Sequence, residues 1–179
     1  MKTYIAILRG INVSGQKIIK MADLKVHLEE LNFQNIQTYI QSGNVIFQCK
    51  SENSKSLEEK IEKKILEKYG FHVPTLVKTP AEIEYVIYNN PFLKDKNKDI
   101  NRLYVTFLSR IPEQNNVEKL KTFDYNPEEY ILDGKNIFGF APNGYGNAKL
   151  NNNFFEKKLK VNATTRNWKT VDKLFELAK

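Results

Sequence analysis

The sequence is poor in the residues from which most catalytic and metal centres are built. Its 179 residues include one cysteine, Cys49, and two histidines, His27 and His72. A single cysteine excludes an intrachain disulfide and a thiolate metal cluster, and such sparing use suits a reducing compartment. Two histidines and one cysteine at these spacings make no metal-ligand pattern, so no metal and no cofactor are expected. No apolar run approaches the ~20 residues of a membrane span. Met1 to Leu8 is too short for the apolar core of a signal peptide and runs straight into polar loop residues, so a cytoplasmic protein without a membrane partner is expected. Neither a Walker A motif nor G-x-G-x-x-G occurs, which removes the usual nucleotide-hydrolase and dinucleotide readings. Glu58-Glu59 and Glu128-Glu129 are neighbours whose side chains diverge on a helix or strand, so no paired-carboxylate centre is present.

What the chain has is a positive balance, +7 overall, in an otherwise ordinary composition of 41% hydrophobic and 27% charged residues. Residues 1–78 and 142–179 carry the positive excess and residues 79–141 a negative one. That distribution permits a polyanionic partner.

The hydrophobic pattern orders the first half. Thr3 to Leu8 is a buried strand, and Met21 to Leu31 an amphipathic helix with Met21, Leu24, Leu28 and Leu31 on one face. Ile36 to Gln41 and Val45 to Cys49 pair across Ser42-Gly43-Asn44. A second helix presents Leu57, Ile61, Ile65 and Tyr69, with Gly70 as its C-terminal cap, and Val73 to Val77 is a fourth strand. The order β-α-β-β-α-β is the split βαβ, or ferredoxin-like, arrangement. A right-handed crossover makes the first two strands parallel, with the third antiparallel between them and the fourth beyond the first. The loop Arg9–Lys20, the turn Gln41–Asn44 and the entry Gly70–His72 then share one end of the sheet.

The second half reads as an incomplete copy of that plan, giving an α+β protein of two ferredoxin-like halves, residues 1–78 and 79–179, the second with extra C-terminal helices. Its expected elements are a helix at Ala81–Tyr88, a strand at Arg102–Leu108 and a helix at Asn116–Phe123. A hairpin across Asp133-Gly134-Lys135 follows, then helices from Ala148 to Leu159 and from about Thr165 onward. In the last of these a threonine serves as N-cap, and Arg166 falls in the first turn. A cation is unfavourable there against the helix dipole, so Arg166 is expected to have a carboxylate or ligand partner.

Three stretches, LRGINVSGQKIIKMADLK, TYIQSGNVIF and ATTRNWKTVDKL, make the chain resemble the bacterial family known as domain of unknown function 1697, from about Tyr4 to Leu177. The resemblance implies two ferredoxin-like halves and supplies no activity. Ser14 departs from it where the family usually has glycine, which costs little if that position keeps a negative φ.

The candidate ligand surface is the shared rim, with Arg9, Asn12 and Lys17 from the first loop and Gln41, Ser42 and Asn44 from the turn. Arg166 is a further candidate. Glycines let backbone N–H groups approach an anion closely, and a loop ahead of a helix can hold a phosphate. The competing reading makes Asn12 and Arg9 ties between loop and sheet, and Gly43-Asn44 a turn requirement. The central strands offer only Tyr4 and Phe47 as aromatics and lack the RNP1 pattern, which argues against RNA binding on the open sheet face. The expected function is a non-enzymatic module binding a phosphorylated small molecule or nucleic acid. The alternatives are an enzyme using the same rim, with His72 or Arg166, and an interaction protein joined through an edge strand. No catalytic residue is assigned.

Overall fold

The computed structural model of the protein describes all of residues 1–179, which form two compact units, Met1–Tyr85 with Lys173–Lys179, and Val86–Asp172. The first unit contains β1 (Lys2–Leu8), α1 (Met21–Glu29), β2 (Gln34–Tyr39), β3 (Asn44–Cys49), α2 (Ser54–Tyr69) and β4 (Thr75–Lys78). Its sheet runs β2-β3-β1-β4, with every neighbouring pair antiparallel. That is the split βαβ order expected from the periodicities.

Why these residues take these elements follows from burial. Tyr4, Ala6 and Leu8 of β1 join Val45 and Phe47 of β3 in a core closed by Leu24 and Leu28 of α1 and Leu57, Ile61 and Ile65 of α2. Ile5 and Ile7, on the opposite face of β1, are fully buried as well. A strand buried on both faces reads as a continuous apolar run, which is what TYIAIL is. Burying the three aliphatic side chains of α2 contributes roughly 2 kcal/mol each. Asn53 caps that helix by accepting from the Lys55 N–H, and Gly70 closes it at φ 74°.

The second unit holds β5 (Leu103–Leu108), α4 (Gln114–Lys121), β6 (Glu129–Asp133), β7 (Asn136–Phe140), α5 (Asn152–Leu159) and β8 (Ala163–Asn167). The sheet order is β6-β7-β5-β8, again antiparallel throughout. The second copy is therefore complete, and the incomplete reading is corrected. The missing strand was hidden in ATTRN. It pairs with β5 from Ala163 to Asn167, and the Thr165 hydroxyl lies 2.6 Å from that of Thr106. The segments α3 (Pro80–Asn89) and α6 (Trp168–Ala178) carry the chain from one unit to the other.

Two helices start later than expected, and in both an asparagine cap sets the start. The cap of α6 is Asn167, whose Oδ1 accepts from the Thr170 N–H at 2.8 Å, so the helix opens at Trp168 and not near Thr165. In the same way Asn151 accepts from the Phe154 N–H, and α5 opens at Asn152 instead of Ala148. Asparagine, whose short carboxamide reaches the first-turn N–H groups, caps both helices, and threonine caps neither. Arg166 consequently lies on β8 and not in a helical first turn. The dipole argument for a partner does not apply to it.

Candidate functional site

The loop Arg9–Lys20 is a small hairpin held at its base. Ile11 and Ile19 enter the core, while Val13 and Ile18 between them stand 55% and 58% exposed. At the tip, Ser14 and Gly15 have φ 51° and 73°, and the Gln16 N–H donates to the Val13 carbonyl at 3.0 Å. Two left-handed central residues are the signature of a type I′ turn, the connection whose twist matches a two-stranded ribbon. Ser14 thus occupies a left-handed position, so the condition under which serine in place of glycine costs little is not met. A glycine there relieves about 1 kcal/mol of strain. Asn12 (φ 54°) and Lys17 (φ 46°) are left-handed too, so three non-glycine residues within six are strained.

Asn12 is the staple. Its Nδ2 donates to the carbonyls of Ile19 (2.9 Å) and Gln41 (2.8 Å), and its Oδ1 accepts from the Ile19 N–H (2.8 Å). One side chain therefore closes the hairpin and ties it to the neighbouring turn. The other links are backbone ones: Leu8 N–H to the Gly43 carbonyl at 2.8 Å, and Arg9 N–H to the Pro74 carbonyl at 2.9 Å. Lys17 Nζ donates to the His72 carbonyl at 2.8 Å. The three loops meet at one end of the first sheet, as the topology requires.

Within that rim the candidate residues do different things. Asn44 is fully buried and donates to the Tyr39 carbonyl (3.0 Å) and to Ser42 Oγ (3.3 Å), so it shapes the turn from inside. Gly43, at φ 85°, leaves no room for a β-carbon, which would sit 2.8 Å from Leu8 Cβ and Ile11 Cδ1. Arg9 and Lys17 are half-buried, Ser42 likewise, and Gln41 is exposed. Arg9, Lys17 and Lys20 are the only charged residues from position 9 to position 22.

His72 has a partner that its sequence neighbours do not supply. Its Nε2 lies 3.1 Å from Glu62 Oε2, and Glu62 Oε1 accepts from the Thr75 N–H at 2.9 Å. The carboxylate comes from α2, one turn beyond Glu58, which accepts in turn from the Val77 N–H. The signal was there as glutamates at i and i+4 on one helix, but only the packing of α2 beside β4 aims them at the strand.

Arg166 sits in the other unit. It is 7% exposed, and its Nη1 donates to the Thr165 carbonyl (2.9 Å) and Thr164 Oγ1 (3.2 Å). Burial brings the guanidinium down to about 10, and the neighbouring Tyr145 acts in the opposite direction. Cys49 is buried, and burial pushes its thiol above the ordinary value, which makes thiolate chemistry harder there. No three His, Cys, Asp or Glu side chains gather where a metal ion could be held. No helix is long and apolar enough to cross a membrane.

Residues 1–138 match the family model described as protein of unknown function, DUF1697. The chain belongs to this family. A solved structure, that of a conserved bacterial protein from Streptococcus pneumoniae, is similar over 99% of both chains, with a TM-score of 0.77 and 23% identity. At that identity the likeness shows the fold. No curated protein matches the chain. The family carries no described activity, and the residues of the rim have to supply any functional reading.

Proposed function

We propose that this DUF1697 protein is a binding module that takes a phosphate-bearing ligand, a small molecule or a nucleic acid, on the rim of its first unit. The observation that carries the reading is the stapled hairpin. Three strained non-glycine positions are held in place by Asn12, beside Arg9, Lys17 and Lys20 in a stretch without a carboxylate. Strain maintained by such bonding concentrates at functional sites. An anion gains from fixed ammonium and guanidinium groups and from turn N–H groups. Asn12 and Asn44 shape the rim from within, and the ligand contacts are assigned to Arg9, Lys17, Gln41 and Ser42, with Lys20 alongside; Lys17 gives one of its three N–H donors to the His72 carbonyl.

The test has two arms, titration with a nucleoside monophosphate and with a single-stranded oligonucleotide. A nucleic-acid ligand predicts an affinity that falls steeply from ~50 to ~200 mM salt and drops in Lys17→Ala and Lys20→Ala. A small-molecule ligand predicts saturable binding of the monophosphate with a shallower salt response. Absence of binding in both arms overturns the proposal.

The Glu62–His72 pair favours a second reading, an enzyme using the same rim. A carboxylate that orients an imidazole fixes which nitrogen is left to act as a base. Activity whose pH profile is unchanged by His72→Ala removes that role.

A further inference from the structure

The hairpin and the turn beside it hold three branched aliphatic side chains out of the core. Val13 and Ile18 are more than half exposed, and Ile40, where β2 enters the turn, is 46% exposed. Ile40 also has φ 52°, a conformation that turns normally give to glycine or asparagine and that a β-branched residue adopts only under strain. The staple groups the three. Asn12 Nδ2 joins the carbonyls of Ile19 and Gln41. Val13 follows Asn12, Ile18 precedes Ile19 and Ile40 precedes Gln41, so each adjoins one of the groups that Asn12 draws together. Single exposed aliphatic residues are ordinary, whereas several gathered at one rim mark a surface that meets something.

Charge and side-chain chemistry select the partner. The loop brings Arg9, Lys17 and Lys20, the chain from Leu31 to Cys49 has no charged residue, and Gly70 to Val77 has no carboxylate. Glu62 reaches the rim from α2, and its two oxygens are engaged by His72 and the Thr75 N–H. Asp23, the next acidic residue after the loop, acts on Tyr69 of α2. The rim is therefore complementary to an anion. Neither Arg9–Lys20 nor Ile40–Asn44 contains an aromatic residue. Unpaired nucleobases are held by stacking on flat rings, and branched aliphatic side chains offer no such face. What these side chains gain from is transfer out of water into hydrocarbon. Aliphatic tips beside lysine and arginine suit the surface of an anionic bilayer, with cations at the headgroup phosphates and tips at the boundary of the acyl chains. The expectation of no membrane partner rests on the lack of a span, which surface binding does not require.

Building on the phosphate reading of the rim, on which this step rests, we infer that the ligand is the headgroup of an anionic phospholipid in a bilayer surface. Val13, Ile18 and Ile40 dip into the interface while Arg9, Lys17 and Lys20 meet the phosphates. A soluble phosphate engages the same cations and leaves the three aliphatic tips in water, which is the difference that an experiment can read.

The test is co-sedimentation of the full-length protein with vesicles of phosphatidylcholine alone and of phosphatidylcholine mixed equally with phosphatidylglycerol, beside titration with the nucleoside monophosphate and the oligonucleotide. The protein binds the mixed vesicles about tenfold or more tightly than the neutral ones, and that binding declines from ~50 to ~200 mM salt. Val13→Ser and Ile18→Ser, at exposed positions, each weaken vesicle binding about fivefold or more and leave the affinity for the monophosphate unchanged. Lys20→Ala weakens both. Wild-type melting temperatures in the two serine variants show that their loss does not come from the fold. Equal binding to neutral and mixed vesicles, or serine variants that bind vesicles like the wild type, overturns the proposal. So does oligonucleotide binding that drops in Ile18→Ser without any binding to vesicles, since it would give the tips to bases. Binding of the monophosphate without binding to the mixed vesicles overturns the lipid assignment and leaves the phosphate rim standing, whereas failure of every probe removes both.

Discussion

The two units wind their chains identically and differ in how the chain leaves the first strand. In the second unit β5 reaches α4 through the short connection Ser109–Glu113, whereas in the first unit β1 reaches α1 through Arg9–Lys20. The shorter link is enough to build the sheet. The longer one adds a type I′ hairpin with strained residues, an asparagine staple and three cations, which the shorter link does without. Material that one copy of a fold has and the other lacks is where function is to be sought first, because strain and exposed apolar tips are otherwise liabilities. The outer strands β4 and β8 are treated alike: Glu62 and Glu58 accept from the Thr75 and Val77 N–H groups, and Glu156 from the Ala163 N–H.

The strongest test of the comparison sets one glycine from each unit against the other. A β-carbon on Gly139 would lie 2.2 Å from the ring of Tyr104, which is fully buried and whose hydroxyl donates to the Leu150 carbonyl. Gly139→Ala should therefore cost ~3 kcal/mol or more in urea denaturation. Gly43→Ala meets atoms at 2.8 Å and adds a left-handed backbone, for an expected loss of ~2–3 kcal/mol. If Gly43→Ala proves harmless, the turn at the rim is more pliable than described.

Asn12→Ala comes next, at ~2–3 kcal/mol, because it strands the Ile19 N–H and two carbonyls and puts alanine at φ 54°. Its counterpart in the second unit, Asn167→Ala, removes only a helix cap and should cost ~1 kcal/mol. Equal losses would mean that Asn12 is an ordinary cap and not a staple.

Ser14→Gly should stabilise the protein by ~0.5–1 kcal/mol, since it relieves a left-handed residue at a solvent-exposed tip. A loss instead would show that the serine side chain is needed there.

The smallest effect concerns pH. Lys68 and Lys64, with His27, bond to Glu30 and lower its carboxyl from 4.5 to about 2. A carboxylate depressed on folding contributes stability that is fully present above its unfolded value and disappears as the pH falls through the folded one. Stability should accordingly decline from about pH 4.5 toward pH 2, and Glu30→Gln should flatten part of that decline in acid titrations.

Much of this is legible in the sequence. Apolar spacing is local and physical, so TYIAIL, the Leu57–Ile61–Ile65 face and the Asp133-Gly134-Lys135 turn were readable as elements, and the order of elements imposed the sheet and the shared rim. Pairing strand β8 was not readable. ATTRN is as consistent with a helix start as with an edge strand until β5 is beside it, and the choice between Thr165 and Asn167 as cap depends on where the backbone turns. Ser14 belongs to the same class, since its φ is set by the Val13–Gln16 turn and not by serine.

The sequence by itself determined the alternation of strands and helices and the positive rim loop, because each rests on residue types and spacings along the chain. Tertiary structure alone decided that Asn12 serves the loop, that Glu62 reaches His72 and that Arg166 lies buried on a strand. Those facts depend on groups far apart in sequence being brought within a hydrogen bond of each other, and local pattern carries no information about that.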